Sequence, residues 1–268
     1  MRWKKLIKYI SLDITLTRKC NLNCKYCEGH SDTDDNTPLV HLPEIKNIVE
    51  KISSEYPDNK INFMLLGGEL TTLPKNYLLN VVTYLKKLKN CGHIHVFTNA
   101  KEYSPEIKEC IKNFNNVFLG VSFDTTSCLL NMRNINKEEI INTLKQYDCW
   151  DKIAIHSTFN NFTISTFKEL QEFFIFYGVR KFKFKFERND AFLIENYTNS
   201  KYKFINILYE NLLDDVEYID NFMLETVVVM YVGQYMELAI HHSKHNDRMN
   251  RNVFGKIPFD KKLFNIYE

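Results

Sequence analysis

Three cysteines stand close together at Cys20, Cys24 and Cys27, in the stretch TRKCNLNCKYCEGH. Thiolates are soft ligands that take zinc or iron–sulfur clusters, so the spacing offers two chemistries. Three thiolates on one loop can hold three irons of a 4Fe-4S cluster, leaving the fourth iron open to a small molecule. With His30 as a fourth ligand, the same loop could instead close a tetrahedral, purely structural zinc site. Disulfides fit less well. The chain has seven cysteines, an odd number, and at 268 residues it is not the short, disulfide-dense type.

The loop follows a strand pattern. Ile10, Leu12, Ile14 and Leu16 alternate with Ser11, Asp13, Thr15 and Thr17, the period of a strand with one buried face. A helix is expected next, over LPEIKNIVEKISSEY, with Pro43 in its first turn and Ile45, Ile48, Val49 and Ile52 at helical spacing. The alternation continues through KINFMLL, LPKNYLLNVVTYLKKLKN, HIHVFTN, SPEIKECIKNF, NVFLGVSFD, NKEEIINTLKQY, KIAIHSTF, TISTFKELQEFFIFYG and RKFKFKFE. Six strands separated by helices predict an α/β fold with a parallel sheet, curled into a partial (β/α)6 TIM-like barrel. In such barrels chemistry gathers at the C-terminal strand ends.

That rim is where the unusual residues fall. The cysteine loop follows strand one, Gly67, Gly68 and Glu69 end strand two, Asn99 ends strand three, and Ser122 and Asp124 end strand four. Adjacent glycines permit a close backbone approach or positive φ, and Glu69 offers an acceptor for a ligand ammonium. Cys128 lies just beyond strand four on the same rim, where a free thiol is a candidate hydrogen donor. On RKFKFKFE, Phe182, Phe184 and Phe186 are expected to face outer helices, and Lys181, Lys183 and Lys185 the lumen or solvent.

The order of these motifs resembles the radical S-adenosylmethionine (SAM) superfamily: Cys-x3-Cys-x2-Cys after the first strand, aromatic Tyr26 before the last cysteine, and Gly-Gly-Glu after the second strand. The resemblance covers roughly residues 8–190. It implies that Cys20, Cys24 and Cys27 ligate a 4Fe-4S cluster and that SAM chelates the open iron. It further implies that Tyr26 lies near the adenine and that Gly67, Gly68 and Glu69 receive the methionine amino group. Ser122 and Asp124 then match the ribose-contacting end of strand four, with Asn99 holding SAM or substrate. The implied activity is reductive SAM cleavage to a 5'-deoxyadenosyl radical that abstracts hydrogen from a peptide or small-molecule substrate. An electron donor such as flavodoxin or ferredoxin is the implied partner. Two departures stand out: Leu70 follows Glu69 where Pro is common, and Ala100 follows Asn99 where Gly is frequent.

Composition bounds the alternatives. With 44% apolar and 14% aromatic residues the chain is globular, and 35 basic against 33 acidic side chains give no global field for nucleic acid or an anionic membrane. The basic start lacks a signal-like apolar region, and no run approaches a bilayer span of roughly 20 apolar residues, so a cytoplasmic, soluble protein is expected. The domain expectation is a barrel over 1–195 and a small C-terminal α/β cap over 196–268. Residues 202–232 are read as helical and VGQYMELAIHHSKHNDRMNRNVFGKIPFD as a hairpin-like extension. No cysteine follows Cys149, so this cap cannot carry cysteine-ligated auxiliary clusters. Other readings of the site are a zinc- or cluster-stabilised binding protein without turnover and a glycyl-radical activating enzyme.

Overall fold

The structure is a computed structural model that describes residues 9–25, 27, 39–124, 129–159, 167–186, 217–218, 226–232, 235–241 and 251–258. Its strands are β1 (Tyr9–Thr15), β2 (Lys60–Leu66), β3 (Cys91–Thr98), β4 (Val117–Ser122), β5 (Ile153–Phe159), β6 (Lys181–Phe186), β7 (Glu217–Tyr218), β8 (Thr226–Val232), β9 (Tyr235–His241) and β10 (Arg251–Pro258). Its helices are α1 (Leu42–Glu55), α2 (Tyr77–Lys86), α3 (Pro105–Asn113), α4 (Lys137–Tyr147) and α5 (Phe167–Phe176). β1 to β6 pair side by side in chain order, every pair parallel, as the six-strand reading expects.

The helices form where their ends are satisfied. Glu44 of α1 reaches back to accept the His41 backbone N–H at 2.9 Å, and Ser104 and Asn136 accept N–H groups at the starts of α3 and α4. The first turn of α2 uses a neighbour instead: Glu106 of α3 accepts from Asn76 N and Leu79 N at 2.9 and 2.8 Å. This fastens two adjacent helices together. The expected apolar stripe of α1, Ile45, Ile48, Val49 and Ile52, is buried, and three of these residues line a crevice with Leu12 and Ile14 of β1.

The sheet has two faces. Ile61, Phe63 and Leu65 of β2 and Ile94 and Val96 of β3 are buried in the core shared with the helices. The other face carries the alternate residues, and contacts across it define an inner surface: Phe97 packs edge-on to His156 at 4.5 Å, and His95 stacks on Phe118 at 5.5 Å. Lys181 Nζ lies 4.3 Å from the Phe118 ring centroid, placing the first β6 lysine on this inner face. That is one of the two faces the strand pattern left open for it.

The end of the chain departs from the sequence reading. Thr226–Val232 is a strand, not helix, and pairs parallel with β1. Glu217–Tyr218, within the same expected helix, pairs parallel with β6. The run TVVVMYV is rich in β-branched residues, and a short all-apolar run has no period that separates helix from strand. β9 and β10 form an antiparallel continuation after β8, agreeing with the hairpin-like rhythm. Among the described residues no helix is long and apolar enough to cross a membrane.

Candidate active site

The chain leaving β1 is laid directly over the end of β2. Gly68 N donates to Thr17 O and Glu69 N to Lys19 O, both at 2.8 Å. A Cβ on Gly68 would stand 2.1 Å from Lys19 O, and one on Gly67 would stand 2.6 Å from Thr17 O. Close approach, rather than positive φ, is therefore what these two glycines provide. Without side chains there, the segment entering the cysteine loop can settle onto the strand.

Beyond that seat the loop is held from two other strands. Asn99 Nδ2, just past β3, donates to Asn21 Oδ1 at 2.8 Å and lies 3.9 Å from Cys20 Sγ, while Lys101 Nζ donates to Asn21 O at 3.3 Å. On the β4 side, Lys25 N donates to Met132 O in a short π-helix, Leu129–Arg133. Within the loop, Leu22 N donates to Cys20 Sγ at 3.4 Å and Cys27 N to Cys24 O at 3.1 Å. Cys20 is buried, and Cys24 and Cys27 are half-buried.

Burial pushes the Cys20 thiol up, with the charges of Glu69 and Cys27 adding to the rise and the Leu22 N–H opposing it. Cys24 is pushed up to about 11, first by burial and then by Cys27 and Cys20, while the nearby Arg133 cation acts the other way. The three sulfurs thus lie within one another's fields. Such thiols become thiolates when a cation compensates their burial, which is how metal binding and proton release are linked. Among the described residues no group of three or more His, Cys, Asp or Glu side chains is gathered tightly about a single ion position.

Glu69 is engaged by three donors of the protein. Its carboxylate accepts from Thr71 N at 3.0 Å, Thr98 Oγ1 at 2.8 Å and Asn99 N at 2.6 Å, and burial holds its pKa above the usual carboxylate range. It therefore ties the second-strand turn to the end of β3, whose Asn99 in turn holds the loop. Ala100 adopts φ 56 beside it, a left-handed backbone that accounts for the frequency of Gly at such a position.

At the end of β4, Asp124 and Arg133 form a buried pair. Arg133 donates through Nε to Asp124 Oδ2 at 2.8 Å, its NH2 is 2.7 Å from the same oxygen, and its NH1 donates to Ser122 O at 3.0 Å. Ser157 Oγ donates to Asp124 Oδ1 at 3.2 Å. Ser122 is half-buried on the inner face. The structure thus brings Cys20, Cys24, Cys27, Gly67, Gly68, Glu69, Asn99, Ser122 and Asp124 to one rim. Tyr26, His30 and Cys128 lie outside the described residues. Cys91, Cys110 and Cys149 lie away from this rim, Cys110 fully buried in the core. The sequence reading missed Asn21, Lys101 and Arg133, because a lone Asn, Lys or Arg carries no spacing signal.

Comparisons agree with this architecture. Residues 14–174 match the family described as the Radical SAM superfamily. A probable GTP 3',8-cyclase of Methanococcus aeolicus is 36% identical over 104 residues, covering 37% of this chain and 33% of that protein. The radical SAM cyclopropyl synthase TigE of Paramaledivibacter caminithermalis is 24% identical over 228 residues, covering 76% of this chain and 47% of that protein. The chain thus spans less than half the length of either relative. Streptococcus suis SuiB bound to S-adenosylmethionine superposes with a TM-score of 0.62 at 13% identity, covering 94% of this chain and 65% of that one. The match runs from within β1 into α5 and contains the cysteine loop, the glycine turn and the ends of β3 and β4. The chain belongs to the radical SAM superfamily.

Proposed function

We propose that the chain uses Cys20, Cys24 and Cys27 to hold the cluster, with SAM bound at the rim beside Gly67, Gly68, Asn99 and Ser122, and modifies a peptide or small-metabolite substrate at a C–H bond. When bound, the cluster and SAM supply a reducing electron and a 5'-deoxyadenosyl radical that takes hydrogen from substrate. The protein's own work is placement. Glu69 and Asn99 hold the loop at the edge of the inner face, and the Met132 carbonyl braces it from the β4 side by accepting from Lys25 N.

The observation that carries this reading is the single network from Glu69 through Asn99 to Asn21, beside Cys20. It joins the glycine turn to the cysteine loop. The network is built to fix the loop's position relative to the strand ends, which is what oriented radical chemistry needs.

A peptide substrate is supported by SuiB, which has also been solved with its precursor peptide SuiA bound and superposes with a TM-score of 0.60. A nucleotide-like metabolite is supported by the GTP 3',8-cyclase similarity. Anaerobic reconstitution tests the core of the proposal. Brown protein with about four irons per chain that releases 5'-deoxyadenosine from SAM on reduction is expected, and Cys24→Ala should abolish that release. Colourless protein holding one tightly bound zinc would overturn it.

A further inference from the structure

We propose that Asn21 is a positioning residue for the cluster, its side-chain amide donating to a sulfur of the bound cluster. The inference deepens the function proposed above and rests on its placement of the cluster at Cys20, Cys24 and Cys27. It is carried by a polar atom whose bonding capacity the protein leaves unused: Asn21 Nδ2 is buried and has no acceptor among the described residues. Native proteins keep few such donors, because a hydrogen bond left unmade in the interior costs the full desolvation of the group.

The orientation of that amide is set by its neighbours. Lys101 N can only donate, and it bonds Asn99 Oδ1 at 2.9 Å, so the atom of the Asn99 amide that meets Asn21 is Nδ2. Asn21 answers with its oxygen, which accepts at 2.8 Å. Turning the Asn21 amide over would set one NH2 group against another. Its Nδ2 is therefore left for a different partner. Lys101 Nζ also donates to Asn21 O at 3.3 Å, so the backbone of this residue is held together with its side chain.

The acceptors that surround this amide are already engaged. Cys20 Sγ accepts from Leu22 N at 3.4 Å, with Asn99 Nδ2 3.9 Å away, and the Glu69 carboxylate takes Thr71 N, Thr98 Oγ1 and Asn99 N. Asn21 follows Cys20 directly in the chain, and the proposed function puts a body of sulfide and thiolate sulfurs there. Hydrogen bonds to those sulfurs are among the interactions that set a cluster's potential. Donors outside the ligand set also fix how a metal centre sits on its ligands. An amide anchored at its carbonyl and at its side-chain oxygen, with its donors unspent, is prepared for that role before the cluster arrives.

The test uses the full chain with asparagine side-chain amides labelled with heavy nitrogen, reconstituted anaerobically, reduced without SAM and read by electron–nuclear double resonance. A side-chain nitrogen coupled to the reduced cluster is expected, and Asn21→Asp should remove it. The aspartate still offers an oxygen to Asn99 Nδ2, so an Asn21 that only holds Asn99 in place would leave the nitrogen spectrum unchanged. If Asn21→Asp does not retain iron, Asn21→Ser carries the test, and the same loss of nitrogen coupling is expected. An unaltered protein without a coupled side-chain nitrogen, a spectrum that the Asn21 variant leaves unchanged, or a coupling that appears only after SAM is added overturns the assignment. Iron content and 5'-deoxyadenosine release on the same preparations separate this from the proposed function. Protein with about four irons that cleaves SAM but lacks the Asn21 coupling refutes only the role of the amide, whereas protein holding zinc and no iron refutes the function itself.

Discussion

Arg133 closes on Asp124 through two nitrogens at 2.8 and 2.7 Å, both partners buried, and its third nitrogen holds the Ser122 carbonyl at the end of β4. The same guanidinium is the strongest influence opposing the rise of the Cys24 thiol. One side chain therefore closes the β4 end and presents its charge to the cysteine loop.

Arg133→Gln leaves the Asp124 carboxylate buried without its cation. Breaking a buried pair from one side costs roughly 3–5 kcal/mol, and replacing both partners costs less. The single variant should lose that much in urea unfolding, and Arg133→Gln/Asp124→Asn should recover part of it. A double variant no more stable than the single would show that the pair adds nothing at this position.

Gly68→Ala puts a methyl 2.1 Å from the Lys19 carbonyl oxygen, and the backbone fixes the position of both atoms. Neither can rotate away, so the segment leading into Cys20 must lift off β2. Overpacking of this kind costs about 1–3 kcal/mol. Iron retained per chain after desalting should fall, whereas changes remote from the loop should leave it constant.

Glu106→Ala provides that remote case. It removes the acceptor for Asn76 N and Leu79 N at the start of α2, and lost capping costs about 0.5–2 kcal/mol. Thermal unfolding should shift down while iron content stays at the unaltered value. A parallel loss of iron would mean that the α2–α3 junction reaches the rim.

Glu69 gives stability a pH dependence. Burial raises its pKa in the folded protein above the value in the unfolded chain, so between the two values the folded state holds more proton. Its contribution is present in full below the ordinary carboxylate value and is lost as pH rises through the raised one. Metal-free protein should therefore lose stability over that interval, and Glu69→Gln should flatten the slope. An unchanged slope in the variant would assign the dependence to another group.

Much of this arrangement was legible in the sequence because its signals are local. Alternation located KINFMLL as β2 to the residue, and the stripe Ile45, Ile48, Val49 and Ile52 marked the buried side of α1. The rim followed from strand ends. What escaped depends on contacts between distant segments. The run at Val227–Val229 is apolar in any conformation, and its pairing with β1 and β9 makes it a strand. Arg133 sits in NMRN without periodicity, and its partner is set by how the chain returns after β4. Glu69 was legible as an acceptor, but the donors that occupy it come from Thr98 and Asn99, a strand away.

Asn99 offers the most direct probe of how the strand ends govern the cluster. Its Nδ2 donates to Asn21 and lies 3.9 Å from Cys20 Sγ, and its Oδ1 accepts from Lys101 N at 2.9 Å. Asn99→Asp keeps the acceptor for Lys101 but replaces the donor near sulfur with a negative charge. Hydrogen bonds to cluster sulfurs and local charge both set reduction potential, and removing a donor while adding an anion favours the oxidised form. The midpoint potential in an anaerobic EPR titration should move more negative in Asn99→Asp, with a smaller shift in Asn99→Ala, which loses the donor alone. Glu69→Gln tests the next link, because it alters the acceptor of the Asn99 backbone N–H while leaving the Asn99 side chain in place. Its shift should be smaller still, and a Glu69→Gln shift as large as that of Asn99→Asp would show that the glycine turn, rather than the Asn99 amide, sets the environment of Cys20.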